Sequence, residues 1–213
     1  MAKINIGSYT VGAVQTNVYY LHLEDSRETI LVDPADYGNE LVDALEGKGL
    51  ALAGILLTHG HYDHIRGVKE VVDRTGVKVY AGEREKSVLS DACLNLSADD
   101  GRPVVVKPDV LLRDQESIEI GRMTFHCIFT PGHTEGSCCY YTEGTGQSIL
   151  LSGDTLFEES VGRTDFPTGS MSQLVRSVKE KLYLLPENTV VYPGHGGITT
   201  IGHEKKYNCV VPA

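Results

Sequence analysis

Residues 55–64 read Ile-Leu-Leu-Thr-His-Gly-His-Tyr-Asp-His, and the reading of this stretch decides the fold. The segment 53–57 is an apolar run of buried-strand length. It empties into His59, His61, Asp63 and His64. From His64 to Arg74 the chain carries Ile65, Val68 and Val72 at helical spacing, with Gly76 just past the end. A strand that delivers polar ligands into a loop before a helix is how α/β proteins build sites, at the carboxyl ends of their strands.

Three further apolar runs end in the same way. Ile128-Phe129 leads to Thr130-Pro131-Gly132-His133, Ile149-Leu150-Leu151 to Ser152-Gly153-Asp154, and Val190-Val191-Tyr192 to Pro193-Gly194-His195. A glycine beside each ligand lets the backbone turn sharply. Alone, His133 or His195 reads as a loop residue and Asp154 as a turn former. Beside three histidines and an aspartate packed into 59–64, they read as a metal site. Imidazole and carboxylate together suit zinc, iron or manganese better than calcium or magnesium. His59 and His61 alternate and can reach one ion; Asp63 and His64 lie further round the turn and can reach a second. A closed structural zinc site would favour cysteine, and none is near. His22, His126 and His203 read as ordinary strand or surface residues, and so do the cysteines.

Working outward, strands are expected over 14–23, 29–32 and 77–80, with a helix over 39–46. A discontinuous helical stretch follows over 83–96 and a loop over 101–108; the role of 83–108 stays open. Hairpins are expected at 117–129, turning at Gly121-Arg122, and at 137–151, turning around Gly144 and Gly146. A helix over 172–185 is stopped by Pro186, and a strand over 189–192 precedes a terminal helix over 201–207. With no linker to divide the chain, residues 1–213 are expected to form a single α/β domain, a sandwich with sheets inside and helices outside.

Composition narrows the partners. A net charge of −10 argues against nucleic acid, which needs clustered lysine and arginine. It leaves room for an anionic substrate, since a metal site can be locally positive in an acidic protein. Five cysteines, an odd number without a C-x-x-C pair, read as reduced thiols. Neither the N-terminus nor any internal window has the apolar run of a signal peptide or membrane span. The expectation is a cytoplasmic enzyme with a small-molecule substrate and no membrane partner; the oligomeric state stays open.

The pattern T-H-x-H-x-D-H at 58–64, P-G-H at 131–133, G-D at 153–154 and P-G-H at 193–195 resembles the metallo-β-lactamase superfamily. The resemblance implies an αββα sandwich of two mixed β-sheets flanked by helices, with two divalent metal ions at one edge, zinc first and iron or manganese as alternatives. It places His59, His61 and His133 on one ion, Asp63, His64 and His195 on the other, and Asp154 as a bridge. Asp33, in Leu31-Val32-Asp33-Pro34, would brace the histidine loop. Class B β-lactamases usually lack the equivalents of His64 and Asp154, which points away from antibiotic hydrolysis.

Residues 162–167 and 194–205 resemble short single-domain glyoxalase II-like hydrolases. That implies thioester cleavage, with S-D-lactoylglutathione as the substrate of first choice, by attack of a metal-bound hydroxide. Asp63 and Asp154 are the implied catalytic carboxylates, Asp63 as an orienter of the attacking water that could also take its proton. Arg163 and Lys205 are candidate contacts for an anionic substrate. Two departures stand out. The C-terminal helical domain that grips glutathione in longer family members is not expected here, and Asn208-Cys209 stands where the family often has Asn-Pro. Two other activities share the motif: a persulfide dioxygenase with a single iron on His59, His133 and Asp154, and a lactonase or other ester hydrolase. Gly196-Gly197 after His195 favours the hydrolase. A metal-binding relic without turnover is the non-enzyme alternative.

Overall fold

The computed structural model describes residues 2–213. One six-stranded sheet is built from β1 (Ile4–Val11), β2 (Thr16–Leu23), β3 (Glu28–Val32), β4 (Ala51–Leu57), β5 (Val79–Gly82) and β6 (Val110–Leu112), adjacent in that order. Its first two pairings are antiparallel and its last three parallel. The second sheet comprises β7 (Ser117–Ile120), β8 (Met123–Phe129), β9 (Cys138–Gly144), β10 (Gln147–Gly153), β13 (Val190–Pro193) and β14 (Thr199–Thr200). Its spatial order is β14-β13-β10-β9-β8-β7, with β10 and β13 parallel and the rest antiparallel. A separate small hairpin joins β11 (Leu156–Phe157) to β12 (Ser160–Val161). Both large sheets are mixed, as expected.

The two-residue period of a strand divides each apolar run between two cores. Leu56 and Val32 face Phe125, Cys127, Ile149 and Leu151 between the sheets. Their neighbours Ile55, Leu57 and Leu31 face outward onto α1 (Gly38–Gly47) and α3 (Val68–Thr75), through Leu41, Val42, Leu45 and Val71. On the other side, Cys139, Leu150 and Val191 pack under α5 (Met171–Glu180) and α6 (Ile201–Tyr207) through Val178 and Ile201. Strands covered on both faces explain why Ile-Leu-Leu runs recur without alternation.

Several boundaries differ from the sequence reading. The helix expected over 64–74 is two pieces, α2 (Tyr62–Ile65) and α3. Gly67 donates its N–H to the Pro34 carbonyl at 2.8 Å, and a Cβ there would stand 2.8 Å from that oxygen. The helix expected over 172–185 stops at Glu180; a 3-10 turn, Leu182–Leu184, follows. The stretch 83–96 is a 3-10 turn at Glu83–Glu85, the short α4 (Lys86–Leu89), and then a chain of turns. The strand expected from Val14 begins at Thr16, because a turn closes from Gln15 N–H to Gly12 O. The strands β1, β6, β11, β12 and β14 carry no strong local signal and were not expected. No helix among the described residues is long and apolar enough to cross a membrane.

Candidate metal centre

The four strand ends identified in the sequence converge. β4 delivers His59, His61, Asp63 and His64; β8 delivers His133; β10 delivers Asp154; and β13 delivers His195. The parallel pairing of β10 with β13 puts Asp154 and His195 side by side, with Gly194 N–H donating to Gly153 O at 2.9 Å. Only glycine fits at 194, since a Cβ there would lie 2.2 Å from Asp154 Oδ1 and 2.7 Å from His64 Cε1.

Besides Asp33 with His59 and His64, two groups of donor atoms result. Those of His59, His61 and His133 lie within 4.8 Å of one another, and so do those of Asp63, His64 and His195. Asp154 touches both groups. Its Oδ1 is 3.4 Å from His64 Nε2, and its Oδ2 is 3.6 Å from His133 Nε2 and 3.5 Å from His195 Nε2. Asp63 Oδ2 lies 3.3 Å from His195 Nε2 and 3.5 Å from His64 Nε2.

The surroundings set which ring nitrogen keeps a lone pair. His133 Nδ1 donates to the Arg163 carbonyl at 2.7 Å, so the lone pair is on Nε2, which faces His61 Nδ1 at 2.8 Å. His64 Nδ1 donates to Asp33 Oδ2 at 3.0 Å, again leaving Nε2. Thr58 Oγ1 donates to Asp33 Oδ2 at 2.6 Å and so accepts from His59 Nδ1 at 3.2 Å, freeing His59 Nε2. Asp33 also accepts from the Thr58 N–H at 2.8 Å. It adopts φ 49°, a left-handed conformation that aspartate tolerates. The expected brace of the histidine loop is therefore a shared buried carboxylate, with Thr58 as relay.

This arrangement fits metal ions. His59 Nε2, His64 Nε2 and Asp154 Oδ1 are buried without a hydrogen-bond partner. A neutral His64 would aim its lone pair at two carboxylates, an arrangement that is unfavourable unless a proton or a cation lies between. Burial, together with the charges of neighbouring histidines, holds His59 well below its usual range, and His61 is lowered to about 3. Both are neutral, as ligands must be. Burial also opposes charge on His64, but Asp63 and Asp154 outweigh it and raise that ring well above its usual range. Burial raises the Asp63 carboxyl, yet His64 and His195 more than reverse this, so it stays ionised. Imidazole nitrogens and two carboxylates are the donor set of a dinuclear transition-metal site.

The site opens on a cavity of about 490 Å³. Phe166 and Phe157 flank it, their rings 5.8 Å from that of His61 and 6.1 Å from that of His195. Arg163 lies on the rim, stacked on Phe166 with its guanidinium carbon 3.8 Å from the ring centre. Its Nε and Nη2 both bond Asp165 at 2.7 Å. Lys205 is not brought to this cavity; its ammonium stands 3.7 Å from Glu187.

Three supports went unseen in the sequence. Thr16 Oγ1 donates to Asp63 Oδ2 at 3.1 Å. Asn17 ties β2 to the His195 turn through its N–H to Gly194 O at 2.7 Å. Glu85, only 1% exposed, accepts from Gly60 N–H at 2.7 Å and from Thr134 Oγ1 at 2.8 Å. It thereby joins the His59–His61 loop to the loop that follows His133. In the run Glu83-Arg84-Glu85-Lys86 nothing marks one glutamate as buried.

With this geometry in view, a family model described as the metallo-beta-lactamase superfamily matches residues 11–195. The chain belongs to the metallo-beta-lactamase superfamily. It is 38% identical over 200 residues to the probable metallo-hydrolase YqgX of Bacillus subtilis, covering 93% of each chain. It is 29% identical to hydroxyacylglutathione hydrolase GloC of Haemophilus influenzae, covering 96% and 97%. The BLEG-1 B3 metallo-beta-lactamase superposes with a TM-score of 0.91 at 39% identity, over 98% and 100% of the two chains. TTHA1623 in a di-iron-bound form does so with a TM-score of 0.80 at 32% identity, over 95% and 98%. The superfamily and these likenesses make the protein a metal-dependent hydrolase.

Proposed function

We propose that this superfamily member hydrolyses acyl thioesters, glutathione thioesters first, at two divalent ions. His59, His61 and His133 would hold one ion, Asp63, His64 and His195 the other, with Asp154 shared. Zinc is the first choice, and TTHA1623 keeps iron open. When bound, such ions activate water and polarise a carbonyl.

One observation carries the thioester reading. Outside the histidine and aspartate cluster, the cavity wall offers only Tyr62, Ser160 and Arg163 as proton donors. Burial raises the Tyr62 phenol above its usual range, and Arg163 is committed to Asp165. An amine or alkoxide needs a proton in order to leave, whereas a thiolate, whose conjugate acid has a pKa near 8.5, does not. Asp63, ionised and held by Thr16 Oγ1, orients the attacking water rather than storing its proton. GloC, with a thioester-cleaving name and near-complete overlap, supports the reading. The test is loss of thioester absorbance from S-D-lactoylglutathione with metal-loaded protein.

A second reading, β-lactam hydrolysis, is favoured by the 39% identity to BLEG-1. Turnover of a chromogenic cephalosporin exceeding that of any thioester would establish it instead.

A further inference from the structure

Leu96 sits on the cavity wall, and its backbone adopts φ 66°. A leucine in the left-handed region is strained by roughly 1–2 kcal/mol; glycine or asparagine is the relaxed choice. Backbone hydrogen bonds hold this conformation: Leu96 N–H donates to Cys93 O at 3.3 Å, and Leu96 O accepts from Asp100 N–H at 3.4 Å. Asn95 O accepts from the Tyr62 N–H at 2.9 Å, and Asn95 Nδ2 donates to Val104 O at 2.7 Å. Ser97 Oγ accepts from the Val104 N–H at 2.9 Å. Ion pairs Arg66–Asp100 and Arg102–Asp36 tie the loop to its neighbours. A strained leucine on a loop already held by its backbone is explained by what its side chain faces.

It faces a predominantly apolar wall, with Val14, Phe157, Val161 and Phe166 around the same cavity. Val14 is 47% exposed at the tip between β1 and β2, although it is apolar. The one cationic side chain on this wall, Arg163, has its charge matched by Asp165. The acyl carbon must reach the metal ligands, and Phe166 and Phe157 flank two of them, His61 and His195, so a chain on that carbon meets this wall.

We infer that the acyl group of the substrate is an uncharged apolar chain, and that Leu96 is a specificity-determining residue that grips it. This rests on the thioesterase reading above. A methylene fully removed from water contributes up to about a fourfold gain in kcat/KM.

The test compares S-acetyl-, S-butyryl- and S-hexanoylglutathione with the zinc-loaded protein. The ratio of hexanoyl to acetyl kcat/KM is expected to exceed about tenfold. Leu96→Asn is expected to cut that ratio at least fivefold, while its Tm stays equal or rises, because asparagine suits φ 66°. Val14→Ser provides a second reduction of the ratio on a different loop. Calorimetry with S-methyl- and S-hexylglutathione reads the same preference without turnover. A flat acyl series in the native chain, or a ratio unmoved in both variants, overturns the inference. Chain-length-dependent binding of the S-alkylglutathiones with no thioester cleaved would keep the apolar grip and remove the proposed reaction.

Discussion

Asp33 Oδ2 stands 3.0 Å from Nδ1 of His64, and the same oxygen accepts a hydrogen bond from the Thr58 hydroxyl, whose oxygen in turn orders His59. One buried carboxylate therefore fixes the free nitrogen of a histidine in each of the two donor groups. Asp33→Asn would present an amide N–H toward His64 Nδ1 and favour the tautomer whose Nε2 is blocked. The expected result is a 10–100-fold loss of metal affinity, read by chelator competition and metal stoichiometry.

Glu85 links the Gly60 and Thr134 loops, and burial pushes its carboxyl up to about 7 from 4.5, against hydrogen bonds from Thr134, Gly60 and Gly136. The folded chain thus binds this proton more tightly than the unfolded chain. The associated stability is complete below about 4.5 and is lost as pH rises through about 7. The loss amounts to about 3 kcal/mol. Urea unfolding of chelator-treated protein should show roughly half of this decline, about 1.4 kcal/mol, between pH 6 and pH 9. Glu85→Gln, which can keep the Gly60 and Thr134 bonds, should flatten it. Glu85→Ala should lower stability at both pH values and loosen metal binding.

At Gly194 even the smallest side chain has no room, with Asp154 Oδ1 and His64 Cε1 in its path. Gly194→Ala should cost about 1–3 kcal/mol in stability, as overpacking does. It should also displace Asp154, so bound metal falls below two equivalents per chain while the circular dichroism spectrum is retained.

Arg163 supports His133 through its backbone carbonyl, whereas its guanidinium faces Asp165 and Phe166. Arg163→Ala should leave metal content unchanged, because the contact with His133 is made by the backbone carbonyl and the guanidinium is paired with Asp165. A fall in metal content would show that the side chain, and not the carbonyl, holds His133.

Much of the centre was legible because its ligands are local signals. Apolar strands that end in His59, His133, Asp154 and His195 carry their chemistry in their own neighbours, and Asp33 sits in the same kind of context. The layering, sheets inside and helices outside, is legible in the mixture of strand and helix patterns, whereas the two mixed sheets follow from the family resemblance. Glu85, Thr16 and Asn17 were not legible, because their roles exist only after distant segments meet. The break at Gly67 was hidden for the same reason: the Pro34 carbonyl that forces it lies on another element. Lys205 is a candidate by its charge and position in a motif, and its partner is Glu187, outside that motif. Short strands such as β12 and β14 take their form from their neighbours rather than from a period of their own.

The most direct test of the central claim is thioester hydrolysis, measured with the protein metal-free and then titrated with zinc. The expected result is negligible loss of S-acylglutathione absorbance without metal, and turnover that rises until two equivalents are bound. Activity that survives complete chelation, or no thioester turnover at two bound equivalents across the acyl series, would contradict it.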